Sequence, residues 1–214
     1  MRFLAGLGAA LMLLSLGSPG DLLGQGSRTA VGAYVGYSRT DLVGADAAEI
    51  EARQGALTGV YLHIPLSRTV TLRPELSFAL KGGRTETEDG SVIDIELAYL
   101  EFPILAKVAA PIGRYRPVFF AGPAPALRIG CDFLLFLPEQ PGQPELEQRV
   151  TCGEDDVTSV RVMDLGFVVG GGIEGLWPSA ALSLEARVNS GVRSVLEDVE
   201  IRNRAFAVVL GLTF

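Results

Sequence analysis

Residues 182–189 read Leu182-Ser183-Leu184-Glu185-Ala186-Arg187-Val188-Asn189, and the alternation does not slip once. Side chains along an extended strand point to opposite faces in turn. One face is therefore Leu182, Leu184, Ala186 and Val188; the other is Ser183, Glu185, Arg187 and Asn189. The same reading holds upstream, where Leu72, Leu76, Phe78 and Leu80 oppose Arg73, Glu75, Ser77 and Lys81. At the end of the chain Phe206, Val208, Leu210, Leu212 and Phe214 share a face opposite Ala205, Ala207, Gly211 and Thr213.

Alternation and turn residues together predict eight strands, at about 30–38, 54–64, 68–82, 91–109, 115–129, 157–174, 179–191 and 203–214. After the N-terminal segment no stretch keeps a helical period, and there is neither a domain linker nor a repeat of fixed length. The connections alternate in length. Long or medium ones (39–53, 83–90, 130–156, 192–202) take turns with short ones (65–67, 110–114, 175–178). In an up-and-down barrel alternate connections lie at opposite ends, and outer-membrane barrels have short periplasmic turns and longer extracellular loops. An even number of strands then leaves both chain ends on the periplasmic side.

Alternation alone would also suit a water-soluble sheet with its apolar face inward. Two features point to the inverse. The polar faces carry Arg73, Lys81, Lys107, Arg128 and Arg187 against Glu75, Glu101, Asp164, Glu174 and Glu185. Matched signs fit a closed lumen, because buried charges require partners. Aromatic residues also gather near the short-turn end (Tyr115, Trp177, Phe214), as in an interfacial girdle. The expected fold is all-β: an eight-stranded antiparallel up-and-down transmembrane β-barrel behind an N-terminal signal peptide.

The signal peptide is read from Arg2, the apolar run Phe3–Leu16 and the small-residue exit Gly17-Ser18-Pro19-Gly20. The run is short for a membrane helix, which needs about 20 apolar residues. The division is signal peptide 1–25, with cleavage between Gly20 and Ala30, and barrel 26–214. Export permits disulfides. Cys131 and Cys152 fall in one predicted connection and are expected to pair. With His63, the single histidine, they are too few for a zinc site.

Several segments resemble the outer-membrane-protein β-barrel-domain family, the small porin-family or PorT-like barrels. They are Leu72-Arg73-Pro74-Glu75-Leu76-Ser77, then Tyr99-Leu100-Glu101-Phe102-Pro103-Ile104-Leu105-Ala106-Lys107, then Phe120-Ala121-Gly122-Pro123. Asp164-Leu165-Gly166-Phe167 follows, leading into Gly170-Gly171-Gly172-Ile173-Glu174. The resemblance covers nearly all of 30–214. It implies a membrane barrel whose terminal pattern, Phe206 to Phe214, is read by the barrel-insertion machinery. It implies no reaction. Two features depart from a regular barrel. Pro103, Pro123 and Pro125 fall inside predicted strands, where proline removes a ladder bond. Ile93, Ile95, Leu97 and Tyr99 share parity with Glu101 and Lys107, which predicts a bulge near Tyr99 or a strand continuing beyond the membrane.

The predicted long connections hold seventeen acids and six arginines, a net of −11 against −7 for the whole chain. That excludes nucleic acid as a ligand and suits solvation, divalent cations or a basic partner. Gly170–Gly175 spells G-x-G-x-x-G, but a strand follows where a dinucleotide site needs a helix. Those glycines are read as strand bends, and no cofactor is expected. Eight strands leave an interior only wide enough for side chains. The expected function is a filled, non-catalytic barrel that displays acidic loops. Its partners are outer-membrane lipid and, during assembly, the insertion machinery; the surface partner is open. Three alternatives stand beside it: a narrow or gated channel, an exported soluble lipocalin-like carrier, and a lipid-acting enzyme using His63.

Overall fold

The structure is a computed structural model that describes residues 29–43, 51–86, 91–110, 112–137, 146–151, 161–192 and 202–214. Its strands in order are β1 (Ala30–Val43), β2 (Glu51–Pro65), β3 (Val70–Glu86), β4 (Val92–Glu101), β5 (Ile104–Ala109), β6 (Tyr115–Leu137), β7 (Leu146–Thr151), β8 (Met163–Leu176), β9 (Ala181–Gly191) and β10 (Arg202–Thr213). Every pairing is antiparallel, and β1 pairs with β10, so the sheet closes on itself. β4 and β5 follow one another between β3 and β6 and fill one position of the ring. β7 pairs with the outer part of β6. The wall is thus a ring of eight strands.

All eight expected strands are present, but four run farther toward the long connections than expected. β1 reaches Val43, β2 begins at Glu51, β3 reaches Glu86 and β6 reaches Leu137. Polar side chains do not end a strand while its backbone groups still find ladder partners. Cys131 consequently lies in β6 and not in a loop. The signal peptide, Cys152 and the loop acids of 44–50, 87–90, 138–145, 152–160 and 193–200 fall outside the described residues.

The apolar face points outward. Phe119 is 67% exposed and Val169 53%, whereas Arg73 on the opposite face is 1% exposed. Val35, Leu76, Phe78, Ile104, Leu184, Phe206 and Leu210 are exposed with them. A soluble carrier would need these residues as its core, so that alternative falls. A continuous apolar exterior of this size is stable only against lipid.

The prolines occupy one gap in the wall. The β5–β6 ladder ends at Ala106↔Ala121 and the β4–β6 ladder resumes at Glu101↔Ala126. Phe102 and Pro103 separate β4 from β5 there, and the Phe102 N–H donates to the Pro125 carbonyl at 2.8 Å. Pro123 shares parity with Pro125, so both rings turn toward the stretch where a donor would have no ladder partner. Gly122 lies in the same stretch. A Cβ there would come within 2.0 Å of the Ile104 carbonyl oxygen, so only glycine lets the strands approach.

The parity question resolves without a slip in β4. Leu97, Tyr99, Glu101, Leu105 and Lys107 all point inward and are buried. The bulge lies on the partner: Ala98 faces Gly130 and Tyr99 faces Arg128, leaving Ile129 unmatched. Inward positions on β6 change from even to odd across it. Cys131 then packs with Leu97, Tyr99 and Ala126, and with Ile95 and Phe133, in an apolar plug above the charged lumen.

Candidate functional site in the lumen

Inward strand positions bring charged residues from distant parts of the chain into stacked layers. The central layer joins β3 to β9. Arg73 grips Glu185 with both Nη atoms, at 2.7 and 3.0 Å. Its Nε lies 2.8 Å from Glu75 Oε1. Arg187 reaches Glu75 and Glu185, both at 2.9 Å. Two cations and two anions, all buried, thus neutralise each other, the arrangement that buried charge requires. Tyr34 Oη donates to Glu75 Oε2 at 2.9 Å.

An aromatic floor supports this layer. The Arg73 guanidinium lies 4.6 Å from the Phe120 ring centre and the Arg187 guanidinium 5.4 Å from it. The same groups lie over Tyr61 and Tyr34, and those two rings stack at 6.1 Å. Such contacts strengthen when desolvated. Gly170 makes room for Phe120: a Cβ there would lie 2.4 Å from its ring. That close approach gives the glycine run a packing role beyond strand bending.

Toward the short turns, Lys107 Nζ pairs with Glu174 Oε1 at 2.8 Å, and Arg116 meets Glu174 Oε2 at 2.6 Å. Toward the outer end, Lys81 pairs with Glu101 at 2.5 Å and lies over Tyr99, while Asn189 donates to Glu101 at 3.2 Å. Between the central and outer layers remains a cavity of about 20 Å³, touched by Ser38, Lys81, Glu101, Arg187 and Asn189. That is room for about one water molecule.

Eight of the ten charges expected in the lumen therefore meet in these layers. The other two make different contacts. Arg128, beside the bulge in β6, donates through Nε to the Arg161 carbonyl at 3.3 Å. Asp164 accepts from Asn203 at 3.4 Å, and Asn203 also reaches Tyr99. Sequence reasoning missed Arg116, though its parity with Phe120 on β6 marks it as inward. Outside the lumen, Arg53, expected in the first long connection, lies on β2 and bridges Asp94 at 2.8 Å and Glu96 on the outward side of β4. That cross-strand pairing has no signal in the local pattern. His63 is half-buried near the short turns, its Nε2 3.3 Å from the Thr71 hydroxyl. Tyr115 and Trp177 meet edge to face at 6.5 Å, and the Phe214 N–H donates to the Val31 carbonyl at 2.8 Å.

The sequence matches the family described as outer membrane protein beta-barrel domain over residues 23–197. Among solved structures it is similar to Neisserial surface protein A, with a TM-score of 0.49 and 9% identity over 87% of this chain and 99% of that one. The attachment invasion locus protein Ail of Yersinia pestis gives 0.39 and 12%, over 87% and 97%. The N-terminal β-barrel domain of Pseudomonas aeruginosa OprF gives 0.35 and 12%, over 87% and 100%. No curated protein sequence matches. By the extent of its family match, and with a closed ring whose apolar side faces out, the chain belongs to the outer membrane protein β-barrel domain family and resides in the bacterial outer membrane.

Proposed function

We propose that the protein is a closed, non-conducting barrel that holds acidic surface loops on a rigid base, in a structural or binding role and not a catalytic one. One observation carries this reading: among the described residues layered ion pairs fill the lumen, and the cavity between the central and outer layers takes about one water. Among the described residues these paired side chains stand across the way that a substrate or a hydrated ion would take. The refolded protein in planar bilayers is expected to give no steady unitary currents. Reproducible current steps would overturn the reading and favour a gated channel.

Two further roles belong to this proposal. The pattern Phe206, Val208, Leu210, Leu212 and Phe214 serves as the assembly signal for the insertion machinery; its outward placement on β10 supports this. Removing Phe214 is expected to lower the folded fraction in the cell envelope, read as loss of the heat-dependent gel shift, with little change in synthesis. The second role is a disulfide between Cys131 and Cys152. Its support is that Asp132 and Thr151, each adjacent in sequence to one cysteine, are cross-strand partners, with the Thr151 hydroxyl donating to Asp132 at 3.0 Å. Closing a loop of about 20 residues contributes roughly 3 kcal/mol. Alkylation without reduction is expected to modify neither cysteine, and mass spectrometry reads the result directly.

A further inference from the structure

The three short connections share a composition that the lumen does not explain. β2 and β3 are joined through Leu66-Ser67-Arg68-Thr69, and β5 and β6 through a turn ending in Ile112-Gly113-Arg114. Each places an exposed aliphatic residue two positions before an exposed arginine: Leu66 is 64% and Ile112 65% exposed. The third connection, after β8, begins with Trp177. None of the three contains an acid, whereas the long predicted connections hold seventeen. Because β3 pairs with β5 and β6 pairs with β8, these turns are consecutive around the rim.

Arg114 is held in place. Its Nε donates to the Leu176 carbonyl at 3.2 Å, and its own carbonyl accepts from the Leu176 N–H at 3.0 Å. The guanidinium lies 5.2 Å from the Trp177 ring centre. Among the described residues neither Arg68 nor Arg114 forms an ion pair with a carboxylate. Two exposed cations, Arg114 held and Arg68 open, stand beside exposed aliphatic tips continuous with a lipid-facing wall, and so match the boundary between acyl chains and phosphate.

We propose that this rim selects anionic phospholipid headgroups in the periplasmic leaflet. Leu66 and Ile112 seat among the upper acyl carbons, and Arg68 and Arg114 meet the phosphate. The inference goes beyond loop display and rests on the barrel lying in a bilayer with its short turns on the periplasmic side. A basic group near an anionic membrane surface gains about 1 kcal/mol, equivalent to an enrichment of about fivefold.

Trp177 is the only tryptophan in the chain and sits at this rim, so it reports on its own lipid shell. The protein is reconstituted in mixed phosphatidylglycerol and phosphatidylcholine bilayers in which one or the other lipid carries acyl-chain bromines. At equal mole fraction, brominated phosphatidylglycerol is expected to quench Trp177 as though enriched about fivefold. Arg68→Gln with Arg114→Gln should erase the difference. Arg114→Lys, which keeps the charge but loses the stacked plane, should retain most of it. Equal quenching by both lipids in the native protein, or a preference that survives the double substitution, overturns the proposal. Absence of quenching by either lipid overturns it too, and places the rim outside the bilayer.

Discussion

Arg73→Met is expected to destabilise the barrel by about 3–5 kcal/mol, the cost of leaving a buried carboxylate without its partner. Arg73 holds Glu185 through two hydrogen bonds and touches Glu75 as well. Its removal leaves two carboxylates to share Arg187 in a space that water does not reach. Methionine fills much of the volume, so the loss reports charge more than packing. Urea unfolding in lipid vesicles, followed through Trp177 fluorescence and the heat-dependent gel shift, measures it. The double change Arg73→Met with Glu185→Leu removes one charge of each sign and leaves Arg187 with Glu75. It should cost clearly less than the sum of the single changes. A single variant within about 1 kcal/mol of the native protein would mean that water solvates the lumen and that the layers are not a dry plug.

The second large effect tests the opposite face. Val169 lies midway along β8, 53% exposed, between Ala121 and Val188 on its neighbours. In a protein surrounded by water, arginine at so open a position would change stability by no more than about 0.5 kcal/mol. On the lipid face of a barrel near the midplane it should cost about 2–4 kcal/mol. Val169→Arg is therefore expected to lower stability by that larger amount in vesicles, measured by the same unfolding curve. A neutral outcome would remove the lipid from around the barrel.

Much of this was legible from parity alone. Counting in twos along the sequence puts Glu185 and Arg187 on the inner face, and Arg73, Glu75 and Lys81 with them. Period-two patterns carry that information because a shift of one residue would send every side chain to the wrong solvent. What parity cannot carry is partner choice. That Arg73 meets Glu185, 112 residues away, depends on the closure and stagger of the ring. Arg128 shows the other limit: it lies beside a single unmatched residue, Ile129, and its Nε meets the Arg161 carbonyl, neither of which parity foretells. The strand ends were misjudged where loop-like composition continued in hydrogen-bonded hairpins, as at Asp132 and Thr151.

Along β4 and β5 the inward side changes from Ile95, Leu97 and Tyr99 to Glu101 and Lys107 with Leu105 between them, while the outward side changes from Asp94 and Glu96 to Phe102, Ile104 and Val108. One ribbon thus obeys the rules of a water-soluble sheet in its first half and those of a membrane sheet in its second. The crossover at Leu100 acts as a waterline. From Leu100 to the end of β5 at Ala109 the chain has the length that a tilted strand needs to cross a bilayer core, about 9–11 residues. On this ribbon the residues above that line, Asp94 and Glu96 among them, stand in the aqueous phase, where the protein meets its surroundings.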